Sequence, residues 1–313
     1  MERVDLPDGV GWTALITAYA RAQESRRADR LFTDPWARAV IAQATRTRFD
    51  EAGMPPVGPA TDDGSSELWT SLGSYFVIRT PFYDEQVRQG VARGCDQVVL
   101  LAAGFDGRAQ RLGLPAGTTV FELDTAAVHD FKDMALRAGK TEMPSAGADR
   151  RTVQADLRED WPDALRAAGF DPARPAVWLA EGLLMYFDGE QCDRLLERIT
   201  ELSAPGSRFA TEWFERNPAG ERALVGWPDE RERQAGELLG SLFSSGPAAP
   251  PREWLSAHGW AGIEVDHVGA RYPRHGRMAP WVFDAEHPEG LRVHLVAGVL
   301  PEPAARGLPG RLS

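Results

Sequence analysis

The chain predicts an α/β fold: a doubly wound, mainly parallel sheet of seven strands, with a helical layer at its amino terminus and a helical lid inserted at about 213–252. Three observations carry this prediction. An apolar run enters a glycine turn at Gln97–Leu112, QVVLLAAGFDGRAQRL. Strand-like runs then alternate with helical patterns, as a parallel sheet with crossover helices requires. Carboxylates close three successive strand runs, Asp124 after VFEL, Asp156 after TVQA and Glu181 after VWLA.

The elements follow in chain order. Residues 11–48 read as helices, because Trp12, Leu15, Ile16 and Tyr19 recur at helical spacing and Asp34-Pro35 is a helix start with proline in the first turn. The segment 52–66 is a loop by its Gly, Pro, Asp and Ser content. Two further helices are expected over 67–79 and 81–93, so that a helical cap of 10–93 precedes the sheet. Val98–Ala103 has the unbroken hydrophobicity of a strand buried on both faces. Later strands are expected at 118–123, 151–155, 175–180, 207–213, 262–268 and 291–299. Asp188 with Gln191 reads as a capping box, and Cys192, Leu195, Leu196, Ile199 and Leu202 then share one helical face. Between Phe214 and Pro251 the chain is charged and ends in SSGPAAPP, which reads as the lid. Residues 1–300 form one expected domain, and 301–313 a frayed tail.

Composition bounds the function. A chain of 313 residues with 43% hydrophobic content can bury one large α/β core. A formal charge of −11 opposes nucleic acid or an anionic membrane as the main partner, because such partners need a basic field. A small-molecule or peptide substrate fits better. Two cysteines, Cys95 and Cys192, suggest neither a disulfide framework nor a zinc site, and no metal is expected. No apolar run approaches the roughly 20 residues of a bilayer span, and no signal peptide is recognisable, so a reducing cytoplasm is the expected compartment.

The opening unit specifies a ligand. Gly104 and Gly107 let backbone amides approach a bound molecule, and Asp124, twenty residues beyond Gly104, is spaced to accept ribose hydroxyls. The turn is not GxGxxG, so a pyrophosphate fits poorly and a nucleoside without phosphates fits better. A nicotinamide-dependent dehydrogenase is disfavoured, since no tyrosine is followed by lysine four residues later. The chain has no HExxH and no GxSxG, which argues against zinc and serine hydrolysis. A non-catalytic nucleotide-binding protein remains the second alternative.

The chain resembles the leucine carboxyl methyltransferase-like family of S-adenosylmethionine-dependent methyltransferases. The resemblance rests on TAYARAQES with FTDPWA, on IRTPFYD, on LLAAGFDGRAQRL, on FELDTAAVHDFK, on ADLREDWPDAL and on AEGLLMYF, across roughly residues 11–300. It is nearest to a bacterial branch that includes carboxyl methyltransferases of aromatic polyketides. The resemblance implies a class I methyltransferase (Rossmann-like) fold with S-adenosylmethionine as cofactor. It implies that Arg79 pairs with the methionine carboxylate, with Arg21 as a second partner, and that Gly104 approaches through its backbone. It implies that Asp124 holds the ribose, that Asp156 and Leu157 frame the adenine, and that Glu181 lies beside the sulfonium and amino end.

The family commonly carries threonine where Gly107 stands, which weakens the assignments around the turn. Arg108 and Arg111 are better read as salt-bridge partners beneath it, and Arg26, Arg27 and Arg30 as a solvated helix face. Tyr186 and Met185 are candidates for the methyl path, as are Trp213, Phe214 and Trp227 for the acceptor cavity, with core packing the competing role for each.

Transfer is expected to be an in-line displacement. A carboxylate acceptor is ionised at neutral pH and needs no general base. A hydroxyl, thiol or carbon acceptor would need one, recruited from His129, His258, His267 or His275.

Overall fold

A computed structural model describes residues 10–46, 58, 65–139, 147–215 and 229–302. Seven strands, β1 (Gln97–Leu101), β2 (Thr119–Asp124), β3 (Asp149–Gln154), β4 (Ala176–Ala180), β5 (Arg208–Glu215), β6 (Ala261–His267) and β7 (Arg292–Val299), form one sheet in the order β3-β2-β1-β4-β5-β7-β6. The first five are parallel, and β7 runs antiparallel between β5 and β6. Each lies within a few residues of its expected position. β1 and β4, at the centre, are buried at every residue, so apolar side chains fill both faces. β3, DRRTVQ, lies at the edge and buries only Val153.

The amino-terminal layer consists of α1 (Val10–Glu24), α2 (Pro35–Arg46) and α3 (Glu67–Ala92). Asp34 starts α2 by accepting from the Ala37 amide at 2.9 Å, with proline at the first helical position. The two helices expected over 67–79 and 81–93 are one, α3, with Pro81 inside it. Proline withholds the N–H that would bond the carbonyl four residues back, a local cost that normally ends or kinks a helix. Here the helix is anchored on both sides of Pro81, since Arg79 and Tyr83 both bond to Glu212 on β5. Tertiary contact outweighs the local breaker.

The crossover helices are α4 (Arg108–Arg111), α5 (Ala126–Gly139), α6 (Trp161–Ala167) and α7 (Gly189–Glu201), followed by α8 (Glu230–Leu242), α9 (Pro251–Ala257) and α10 (Arg271–Arg274). The Asp188/Gln191 capping box forms at α7, and Cys192, Leu195, Leu196 and Ile199 are buried beneath it. The expected lid begins later than 213, because β5 continues to Glu215. Residues 216–228, which include Trp227, lie outside the described residues, as do 52–57, 59–64 and 303–313. The charged segment after them is α8, and the chain beyond it is tied back by Ser244 N–H to Met185 O at 2.7 Å and Gly246 N–H to Phe187 O at 2.8 Å. Among the described residues no helix is long and apolar enough to cross a membrane.

Candidate active site

In an open α/β sheet the ligand crevice lies beyond the carboxyl ends of the parallel strands, and the structure has a cavity of about 360 Å³ there. It brings together Arg21, Arg79, Gly104, Asp124, Asp156, Leu157, Glu181 and Tyr186. Residues from six segments distant in sequence therefore face one space, and strand order fixes the sequence of four of them across it: Asp156 follows β3, Asp124 ends β2, Gly104 follows β1 and Glu181 follows β4.

Gly104 sits at φ +49°, and a Cβ there would lie 3.0 Å from the Ala14 Cβ of α1, so both its backbone and its surroundings favour glycine. Its amide donates to Asp124 Oδ2 at 2.7 Å, while Thr125 N–H donates to Oδ1 at 2.7 Å. Burial raises the Asp124 pKa above its ordinary value even against these two donors. Asp156 is exposed and accepts from Arg158 N–H at 2.9 Å, so it forms the turn and lines the cavity at once. Ala102 also holds a left-handed φ of +49°, a conformation costly for a residue with a Cβ, at the start of the glycine turn.

Beneath this end runs a buried ion network. Glu181 accepts from Arg79 Nε at 3.0 Å and from Arg108 Nη1 at 2.7 Å. Arg108 also bonds Asp84 at 2.8 Å and Asp106, and Arg111 reaches both oxygens of Asp84 at 2.6 Å. Arg108 and Arg111 are thus salt-bridged beneath the turn. Arg21 is buried, unlike the exposed Arg26, Arg27 and Arg30, and donates to Asp34 at 2.9 Å, to the Phe105 carbonyl at 2.6 Å and to Thr17 at 3.3 Å. A Cβ on Gly107 would sit 2.8 Å from Asp34 Oδ1, which gives glycine a physical reason at this position.

Arg79 is engaged by protein carboxylates on one side. Its Nη1 donates to Glu212 Oε1 at 2.5 Å and to the Tyr75 hydroxyl at 3.1 Å, and its guanidinium lies over the rings of Tyr75 and Phe76. The remaining Nη2 has no hydrogen-bond partner among the described residues. Glu212, Tyr75 and Tyr83 were not singled out by sequence reasoning. For the two tyrosines a signal is present in the spacing of Tyr75, Arg79 and Tyr83 by four, which puts three polar tips on one face of α3.

The other end of the cavity is aromatic. Tyr75 and Phe76 come from α3, Phe214 from β5, Phe243 from the end of α8 and Phe283 from a short turn before β7. Tyr75 and Phe283 stack with centroids 4.9 Å apart, and Phe243 meets Phe214 at 6.0 Å and Tyr186 at 5.7 Å. Met185 lines the cavity as well. Trp213 does not; it packs against the sheet core and His294. None of the six histidines lines the cavity. The rings of His129 and His258 are directed to the carbonyls of Val153 and Trp254, and His267 Nδ1 accepts from Gly269 N–H. Tyr186 donates to Thr13 Oγ1 at 3.4 Å, and burial raises its phenol pKa, so it remains protonated at neutral pH.

The chain is similar to known proteins over most of its length. The leucine carboxyl methyltransferase family model matches residues 14–200. A protein of Saccharopolyspora erythraea assigned as an S-adenosyl-L-methionine-dependent methyltransferase is 42% identical over 270 residues, covering 86% of this chain and 88% of its own. A relative from Parafrankia with the same assignment is 41% identical over 260 residues, covering 82% and 79%. The crystal structure of a DUF574 family protein from Streptomyces avermitilis shares the fold, with a TM-score of 0.51 at 12% identity over 92% of this chain and 97% of that one. With its class I methyltransferase sheet and these relatives, the chain belongs to the leucine carboxyl methyltransferase family and is an S-adenosylmethionine-dependent methyltransferase.

Proposed function

We propose that this methyltransferase esterifies a carboxylate on a small, largely apolar acceptor of the kind found among aromatic secondary metabolites. The observation that carries the reading is the composition of the cavity: a glycine and carboxylate end runs into an aromatic end, and none of the six histidines lines either. The residues present fit the cofactor. It is a cation with a ribose diol and a carboxylate, and the polar end offers Asp124 and Asp156, the close-approach turn at Gly104 and the unpartnered Arg79 Nη2. When bound, S-adenosylmethionine supplies a methyl carbon already activated by its sulfonium.

In this reading Asp124 accepts from the ribose hydroxyls, while Asp156 and Leu157 border the adenine. Arg79 meets the methionine carboxylate, with Arg21, which lines the same cavity and holds the Phe105 carbonyl, as its second partner. Glu181, held by Arg79 and Arg108, faces the amino and sulfonium end as a fixed negative charge. Tyr186 and Phe243 flank the acceptor side, with the Tyr186 hydroxyl as a donor. A carboxylate arrives ionised, so the protein must align and desolvate two reactants rather than remove a proton, effects whose intramolecular analogues reach about 7–11 kcal/mol. Residues 1–300 then act as one domain, with α8 and the loop after it as the wall that closes over the acceptor.

The test is release of S-adenosylhomocysteine with a panel of aromatic carboxylic acids, each run beside its matched alcohol. Turnover confined to the acids supports the reading. Turnover confined to the alcohols refutes it.

A further inference from the structure

Glu212 lies on β5, is 1% exposed, and is not among the groups that line the cavity. A carboxylate withdrawn from water that far needs partners for its oxygens. Glu212 has four: Oε1 accepts from Arg79 Nη1 at 2.5 Å, from the Tyr75 hydroxyl at 2.9 Å and from Gly182 N–H at 3.0 Å, and Oε2 accepts from the Tyr83 hydroxyl. These donors belong to two separate walls of the site. Tyr75, Arg79 and Tyr83 are successive turns of α3, and Gly182 is the residue after Glu181 at the end of β4.

We propose that Glu212 is a positioning residue for cofactor binding, which holds Arg79 against the Glu181–Gly182 turn so that Nη2 is left for a carboxylate ligand. The guanidinium has three edges. Glu181 takes Nε, Glu212 with Tyr75 takes Nη1, and Nη2 lies 3.3 Å from where a Cβ on Gly182 would sit, with no partner of its own among the described residues. Gly182 has φ +67°, so this close approach also depends on a residue without a side chain. Tyr83 completes the device from outside: it touches neither the cavity nor Arg79 by hydrogen bond, yet it fixes the second oxygen of Glu212. Burial and the neighbouring Glu212 charge push the pKa values of both tyrosines well up, so both stay protonated and act as donors.

The inference rests on the assignment of Arg79 to the cofactor and is tested by binding of S-adenosylhomocysteine to the full chain, measured by titration calorimetry. Tyr83→Phe should weaken binding about three- to tenfold with the KM for the acceptor unchanged, and Glu212→Gln about tenfold or more. Tyr83→Phe in an Arg79→Ala background should have no further effect, whereas a merely structural role would lower affinity in both backgrounds. Tyr83→Phe removes one oxygen, so the test survives if Glu212→Gln does not fold. Loss of affinity in Arg79→Ala alone, with Tyr83→Phe and Glu212→Gln binding normally, overturns the inference and leaves the Arg79 assignment standing. Normal binding by Arg79→Ala overturns both.

Discussion

The two ends of the cavity are built by opposite means. The end under β3, β2 and β1 is made of short local units, each a strand followed at once by its functional residue, and it rests on arginines and carboxylates that are almost completely buried. The end under β5 and before β7 is assembled from α3, β5, the end of α8 and the turn at Phe283, segments spread over some two hundred residues, and its walls are rings. The first arrangement suits a ligand whose charges and hydroxyls must be met at fixed points. The second encloses apolar bulk with few fixed polar contacts, so its shape can change by substitution of a ring remote from Arg79, such as Phe243, without disturbing the first.

Breaking the ion network should show the difference most strongly. Arg108→Ala removes the cation shared by Asp84, Asp106 and Glu181, leaving Asp106 without its side-chain partner and Asp84 and Glu181 with one arginine each, and should cost about 3–5 kcal/mol of stability in denaturant unfolding. Asp124→Ala removes acceptors for the ribose and should weaken S-adenosylhomocysteine binding by about 1.5–3 kcal/mol, with little change in melting temperature. Binding should also weaken on acidification at a pH above the ordinary aspartate value of 3.8, because burial raises the Asp124 pKa and the protonated acid is the poorer acceptor.

Stability of the same end should fall in acid. Burial pushes the Asp106 carboxyl up, but Arg108, Arg111 and Arg21 outweigh it and leave its pKa at about 2. A lowered folded pKa contributes stability above the unfolded value near 3.8 that is lost as pH falls through about 2, on the order of 2 kcal/mol, measurable as unfolding free energy against pH. The aromatic end should give the smallest effect on stability and none on the cofactor. Phe243→Ala should lower kcat/KM for the acceptor by about 1 kcal/mol, tenfold at most, while S-adenosylhomocysteine binds as before. Equal losses of cofactor affinity in Asp124→Ala and Phe243→Ala would erase the division between the ends.

That division also decides what was legible in the sequence. The sheet was legible because its central strands are buried on both faces and read as unbroken apolar runs, β1 and β4 above all. Gly104, Asp124, Asp156 and Glu181 were legible because strand-end position puts local residues into a common crevice. The single helix α3 reads as two in the sequence, since the contacts of Arg79 and Tyr83 with Glu212 that anchor it on both sides of Pro81 are long-range. Glu212 was missed for the same reason: a glutamate inside an apolar strand has no local pattern that names its partners 129 and 133 residues away. Phe214 was weighed equally with Trp213, although only Phe214 reaches the cavity; adjacent strand residues point to opposite faces, and which face is which depends on register.

The acceptor carboxylate is the claim on which the two-ended account turns, and the product reports on it directly. The methylated product of an aromatic carboxylic acid should be analysed by mass spectrometry before and after mild alkaline treatment. An ester loses the added methyl in base and returns the starting acid, which is the result this account predicts. A methyl that survives base would place it on oxygen as an ether, on sulfur or on carbon, and would contradict the account.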